Sequence, residues 1–342
     1  MRARLADIYV GHTLGGVVSS SIRREGIMNR RDMLKAAVLA PAAAAAALPL
    51  SARTAAAGGS DRPAFVLIHG SWHGAWTWNE MTPLLAEAGY ASIAIDLPGA
   101  GTRTRFPESF LKRPLDMAAF ATELSPVAGV TQDERTAAAV AAVNQAAGLG
   151  NGKVVIVGHS WGGLTISHVA EAVPDKLHAL VYLAAFLMPD GMPAGAIFGE
   201  PSFKTGQAGP LFIGDPAKTG ALRIDPASQD PDYVAKSKQA FYHDLSDGHF
   251  AAIANLLHCD EVASTAGVPM AITAARYGKV ARHYVRLADD RAVPAEAQDR
   301  MVELVDTSAV GGETTVHRMS GSHSPFFAQP EALLAVLDKI AG

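Results

Sequence analysis

Two kinds of hydrophobic run alternate along the chain. Residues 65–68 (Phe-Val-Leu-Ile), 91–95, 154–157 (Val-Val-Ile-Val) and 178–185 are short and largely apolar, and 282–287 and 314–319 resume the strand pattern with polar residues interleaved. They read as strands, and the uninterrupted runs at 65–68 and 154–157 read as strands buried on both faces. Between them, residues 76–88 place Trp76, Met81, Leu84 and Leu85 on one helical face and stop at Gly89. Helices are also predicted over 132–147, over 164–173 before Pro174, and over 330–341. Strand, helix and strand joined by short links imply right-handed parallel crossovers. The expected class is therefore α/β, a doubly wound, mostly parallel sheet of about six strands.

That rhythm breaks after Phe186. Proline, glycine and scattered aromatics (Phe198, Phe203, Phe212, Tyr233, Phe241, Tyr242) replace it. An excursion of this size between sheet strands predicts an inserted helical cap over 187–267, with the core formed by 62–186 and 268–342. Residues 102–131 carry Phe106, Phe110, Leu111, Met117 and Phe120 and are expected to add a flap to that cap.

The N-terminal part reads differently again. Arg30-Arg31 precede an Ala-rich apolar run from Ala36 to Leu50, then small residues at Ala55 to Ala57. This is the layout of a twin-arginine export signal, expected over 28–57. The apolar run is shorter than the roughly 20 residues of a membrane span. With no cysteine nearby to carry a lipid, no stable membrane anchor is expected, and the mature protein should be periplasmic or secreted. Residues 1–27 then read as a non-native or misassigned extension, although Gly11-His12-Thr13-Leu14-Gly15 imitates the motif described next.

Gly158-His159-Ser160-Trp161-Gly162 fits G-x-S-x-G and lies between a predicted strand and helix, the context of a nucleophile elbow. Glycines at 158 and 162 would remove Cβ clashes around a strained Ser160. A serine nucleophile needs a base, and the base needs an orienting acid. After the last strand, Ser320-Gly321-Ser322-His323-Ser324-Pro325 offers His323 as the base; His317, inside the strand, is the other candidate. Asp290, which follows the strand at 282–287, is the expected acid, with Asp289, Asp190 and Asp260 as alternatives. Backbone N–H groups of Ser71 and Trp161 are expected to receive an oxyanion. Trp72, His159, Phe186 and Phe241 are candidates for substrate contact, while His73, Trp76 and Trp78 are expected to pack the entrance. His69 and His73 straddle a strand end without a third ligand, so no metal is expected. No G-x-G-x-x-G opens a helix, and no cofactor is implied. A net charge of −4 argues against a nucleic-acid partner. The single cysteine, Cys259, permits no internal disulfide.

From Phe65 to the C-terminus the chain resembles the α/β-hydrolase superfamily, in the branch of plant methyl esterases, hydroxynitrile lyases and their bacterial esterase-like relatives. The resemblance rests on Phe-Val-Leu-Ile-His-Gly-Ser-Trp-His-Gly-Ala-Trp from Phe65, Gly-His-Ser-Trp-Gly-Gly from Gly158, Leu-Ala-Ala-Phe-Leu-Met-Pro-Asp from Leu183 and Gly-Ser-His-Ser-Pro-Phe from Gly321. It implies a triad of Ser160, Asp290 and His323, with Ser71 and Trp161 at the oxyanion hole. Two positions depart from the branch. The related lyases carry lysine where Ser324 stands, and the plant esterases usually carry alanine where Ser71 stands. The elbow and its partners predict a carboxylic-ester hydrolase working through an acyl-enzyme, and the aromatics and methionines of 187–265 and 102–131, expected as walls around an apolar ligand, favour small apolar or aromatic substrates. A lactonase, amidase or C–C lyase on the same triad is the alternative within enzymes, and a non-catalytic ligand-binding protein the alternative outside them.

Overall fold

The computed structural model describes residues 61–342; the expected signal peptide and the extension before it lie outside the described residues. Strands β1 (Ala64–Ile68), β2 (Ser92–Ile95), β3 (Val154–His159), β4 (Leu177–Leu183), β7 (Ala281–Leu287) and β8 (Thr314–Met319) form one sheet in the order β2-β1-β3-β4-β7-β8. Every neighbouring pair is parallel. Side chains alternate across a strand, so an all-apolar run feeds two cores at once. Ala64, Val66 and Ile68 face one core with Val154 and Ile156, whereas Phe65 and Leu67 face the other with Val155 and Val157. Helices α2 (Gln132–Ala147), α3 (Gly162–Ala172) and α6 (Ala295–Asp306) supply residues to the first core. Helices α1 (Met81–Glu87) and α7 (Pro330–Ala341) supply residues to the second.

The predicted helix over 76–88 is divided. A 3₁₀ turn spans Ala75–Trp78, and α1 begins only at Met81. Pro83 explains the division, because proline is accommodated in a first helical turn but would break a helix already under way. Trp78 is fully buried in the second core against Phe326, so the expectation that it packs an entrance is wrong. Its indole is large enough to be a core residue in its own right.

Between β4 and β7 the chain forms the cap, with α4 (Pro231–Phe241), α5 (Asp247–Ala254) and several 3₁₀ turns. It also contains a two-stranded antiparallel sheet, β5 (Ala221–Arg223) with β6 (Asp260–Val262), which the expectation of a helical cap missed. Strands of three residues are too short to show a period, and these two contain Arg223, Asp260 and Glu261. The charges are buried in pairs. The Arg223 guanidinium grips the Asp260 carboxylate at 2.6 and 2.7 Å, and both side chains are wholly buried. Arg135 on α2 donates to Glu261 at 2.6 Å and joins the core to the cap.

Residues 102–131 do cover the cap, but from outside. Phe106, Phe110 and Phe120 cluster with Ile213 and Cys259. Arg223 lies over the Phe120 ring at 4.8 Å and donates to the carbonyls of Phe120 and Glu123. Among the described residues no helix is long and apolar enough to cross a membrane.

Arg223 thus joins β5, β6 and the flap in one desolvated site. Replacing one partner of a buried pair leaves the other charge uncompensated, which costs about 3–5 kcal/mol. Arg223→Met should lower stability by about that amount in chemical denaturation. The double variant Arg223→Met with Asp260→Leu should recover much of the loss, and a single variant as stable as the parent would show that the pair does not organise the cap.

Candidate active site

The C-terminal edge of the parallel sheet gathers the candidate residues. Among the described residues, three non-glycine residues have positive φ: Trp72 at 61°, Ser160 at 50° and Ala184 at 42°. Each follows a strand of the sheet, and conformations of this kind persist only where surrounding contacts impose them. At Ser160 those contacts are visible. Its N–H donates to the Leu183 carbonyl at 3.1 Å, and its carbonyl accepts from Phe186 at 2.9 Å and Gly163 at 3.1 Å. A Cβ on Gly162 would stand 2.6 Å from the His69 carbonyl, and one on Gly70 would stand 2.8 Å from Cβ of Ser160. Both glycines therefore permit the loop after β1 to touch the turn after β3. Helix α3 starts beside Ser160, which places the positive end of its dipole there.

His323 follows β8. Its Nδ1 donates to Oδ2 of Asp290 at 2.6 Å, and both residues are buried. The other Asp290 oxygen accepts from the N–H groups of Ala292 and Val293 at 2.8 and 2.9 Å. Gln298 also approaches the His323-bonded oxygen, at 3.4 Å. Four donors around one carboxylate hold it in one orientation.

The other acidic candidates are engaged elsewhere. Asp289 accepts the N–H of Gly321 at 2.9 Å and so holds the loop that carries His323, not its ring. Asp190 accepts from Ile272, and Asp260 pairs with Arg223. His317 faces His283 across β7 and β8 at 3.1 Å.

Ser160 and His323 line one narrow cavity, with about 40 Å³ open to a water-sized sphere. Its wall includes Ser71, Trp72, Trp161, Phe186 and Phe241. His159 is absent from that wall. Its ring lies behind His323, 4.5 Å away centre to centre, and Nε2 donates to the His323 carbonyl at 2.9 Å. Burial and the neighbouring His323 hold its pKa well below the ordinary value, so it is a neutral support. The expectation that His159 contacts substrate fails for a geometric reason: a strand alternates its side chains, and His159 precedes the turn that redirects Ser160.

The cap aromatics Phe198 and Phe212 also line the cavity, together with Ala208, Leu222, Ala292 and Val293, which sequence reading did not single out. Ala208 and Leu222 come from the cap, where no period marks which face is turned inward. Ser324, at the position where the related lyases carry lysine, is fully buried and does not line the cavity. The flap residues Phe106, Phe110 and Phe120 do not line it either, which corrects the view of them as walls around a ligand. A wider groove of about 570 Å³ runs between α4 and α5, but it contains neither Ser160 nor His323. The narrow cavity is the site because the candidate chemistry converges there.

Comparison with known proteins agrees with this geometry. The sequence pattern of the alpha/beta hydrolase family matches residues 65–336. Salicylic acid-binding protein 2 of Nicotiana tabacum is 27% identical over 285 residues, covering 81% of this chain and 96% of that protein. Methylesterase 1 of Arabidopsis thaliana is 26% identical over 295 residues, covering 81% and 95%. Among solved structures, a pyrethroid hydrolase from Sphingobium faniae superposes with a TM-score of 0.63 at 23% identity, covering 82% of this chain and 97% of that one. An extracellular hydrolase from a Paenibacillus species gives 0.59 at 20% identity, covering 82% and 99%. With its six-stranded parallel sheet, its turn at Ser160 and its match over most of the described residues, this chain belongs to the alpha/beta hydrolase family.

Proposed function

We propose that the protein is a serine esterase that hydrolyses carboxylic esters of small apolar or aromatic molecules. The observation that carries the reading is the buried Asp290–His323 bond of 2.6 Å at the wall of a cavity that Ser160 also lines. In the proposed reaction His323 Nε2 takes the Ser160 proton as Oγ attacks the ester carbonyl carbon. The N–H groups of Ser71 and Trp161 receive the charge that develops on the carbonyl oxygen. Collapse breaks the carbon–oxygen bond, and the leaving alcohol takes the proton back from His323. A water, deprotonated by the same nitrogen, then releases the acid and restores Ser160.

The relatives named as methylesterases support an ester as the substrate. The aromatic wall of Trp72, Trp161, Phe186, Phe198 and Phe241 supports an apolar or aromatic group beside the reacting carbonyl. That Ser324 lies away from the cavity favours hydrolysis over carbon–carbon cleavage, because no cation follows His323 into the site. Export through the twin-arginine route, with a mature terminus near Gly58, belongs to the same reading and is checked by sequencing the N-terminus of secreted protein.

Ser160→Ala should lower kcat by several orders of magnitude on p-nitrophenyl acetate, leaving the residue that a bare oxyanion hole supplies. Hydrolysis by that variant at the parent rate would defeat the mechanism. Asp290→Asn should cost about 10²–10⁴ in kcat, by misorienting His323. Asp289→Asn should cost far less, because an amide oxygen can still accept the Gly321 N–H.

Size selection follows from the cavity. Each buried methylene is worth about 0.8 kcal/mol, so kcat/KM should rise with acyl length and then fall once the narrow wall is met. Phe198, 45% exposed and on the wall, stands at its rim. Phe198→Ala should move the optimum toward longer acyl groups in an acetate, butyrate, octanoate and benzoate series. An unchanged profile would show that this rim does not select.

A further inference from the structure

The loop that carries Ser71 has four successive carbonyls; three accept a hydrogen bond from an identified donor, and the fourth faces an imidazole nitrogen. The Gly70 carbonyl accepts from Nδ1 of His69 at 2.8 Å, and Nε2 of the same ring accepts the Leu97 N–H at 3.1 Å. The Ser71 carbonyl accepts from Nδ1 of His73 at 2.7 Å, while Nε2 of His73 accepts from the Tyr242 hydroxyl at 2.7 Å. The Trp72 carbonyl accepts the backbone N–H of His258 at 3.0 Å. The His73 carbonyl lies 3.1 Å from Nε2 of His258. The indole of Trp72 adds a fifth tie, donating to the Leu222 carbonyl on β5 at 2.8 Å.

The donors have two origins. His69 and His73 belong to the loop itself, whereas Tyr242 ends cap helix α4 and His258 precedes cap strand β6. In each loop histidine a carbonyl faces Nδ1 and obliges the proton to sit there, which leaves Nε2 as the acceptor. Burial lowers the pKa of His69 to about 4 and that of His73 to about 3, so both rings are neutral at pH 7 and keep that tautomer. The Nδ1 of His258 faces the Asp260 carbonyl at 2.9 Å, so this ring spans from β6 to the loop. With its proton on Nε2 it donates to the His73 carbonyl.

A backbone N–H points opposite the carbonyl of its own peptide unit. The Ser71 N–H therefore points away from the Gly70 carbonyl that His69 holds, and the ties to the carbonyls of Ser71, Trp72 and His73 hold the backbone that follows it. Because Trp72 is held at a φ of 61°, the loop would otherwise relax toward a commoner conformation.

We infer that Tyr242, His73 and His258 form a brace through which the cap holds in place the loop that presents the Ser71 N–H, making them positioning residues for attack at Ser160. The inference rests on the proposed serine esterase reading. It assigns the cap a second role beyond walling the cavity: the oxyanion loop takes its reactive shape only with the cap docked on it.

The test uses the full chain, p-nitrophenyl acetate and phenylboronic acid, which forms a tetrahedral adduct on a serine nucleophile. Tyr242→Phe keeps the ring and removes the hydroxyl that holds Nε2 of His73. His258→Leu removes the tie to the His73 carbonyl, and His258→Gln restores a donor. Losing a whole oxyanion donor costs about 10²–10³ in kcat. Misaiming one should cost less, and about ten- to hundredfold is expected for Tyr242→Phe and His258→Leu. KM should change little, boronate affinity should fall in parallel with kcat, and His258→Gln should recover part of the loss. Folded variants with the parent kcat and boronate affinity would overturn the brace, as would a loss confined to KM. If His258→Leu fails to fold, Tyr242→Phe decides alone. A parent protein that binds no boronate and turns over no ester would instead overturn the esterase reading, and the brace with it.

Discussion

The constraint on which the site depends is the close backbone approach between the loop after β1 and the turn after β3. Two adjacent parallel strands end side by side, and their loops can touch only where no Cβ intervenes, at Gly70 and Gly162. That contact supports a left-handed conformation at Ser160, which a serine in a free chain would avoid. The strain is met by three backbone hydrogen bonds to Leu183, Phe186 and Gly163, two of them from the chain that leaves β4. Ser160 is thus presented by the sheet as a whole, and its position is inseparable from strand order.

The same edge separates two neighbouring acids by function. Asp290 turns inward to the His323 ring, and Asp289 turns to the N–H of Gly321 in the loop that brings that ring in. One carboxylate orients the imidazole and the other holds the backbone that delivers it. His159 completes the arrangement from beneath, donating to the His323 carbonyl. A histidine whose ring, carbonyl and flanking backbone are all held has little freedom left to lose when a substrate arrives, which is what preorganisation requires.

The cap is fastened differently. Its small sheet is held by buried ion pairs, Arg223 with Asp260 and Arg135 with Glu261, where an open sheet edge would otherwise leave polar groups exposed. Such pairs add little net stability over apolar packing, but they accept few alternative partners. Held in one register, the cap can place Leu222 and Phe241 around the cavity, hold the Trp72 indole through the Leu222 carbonyl, and reach the loop after β1 with Tyr242 and His258.

Much of this was legible in the sequence. All-apolar runs at 65–68 and 154–157 predict strands buried on both faces, because burial of that kind leaves no polar alternation. G-x-S-x-G between a strand and a helix marks Ser160, and the order of elements marks His323 and the acidic pair after β7. Local pattern could not say which way a side chain turns when its neighbours are remote in sequence. Trp78 went to the core and His159 behind His323, and the flap aromatics packed with Ile213 and Cys259 of the cap. Nor could it find three-residue strands paired through Arg223 and Asp260, or a carbonyl of the oxyanion loop held by a histidine 185 residues away. Periodicity reports the chain's own faces; only tertiary structure decides which partner each face meets, since that depends on contacts whose sequence separation carries no local signal.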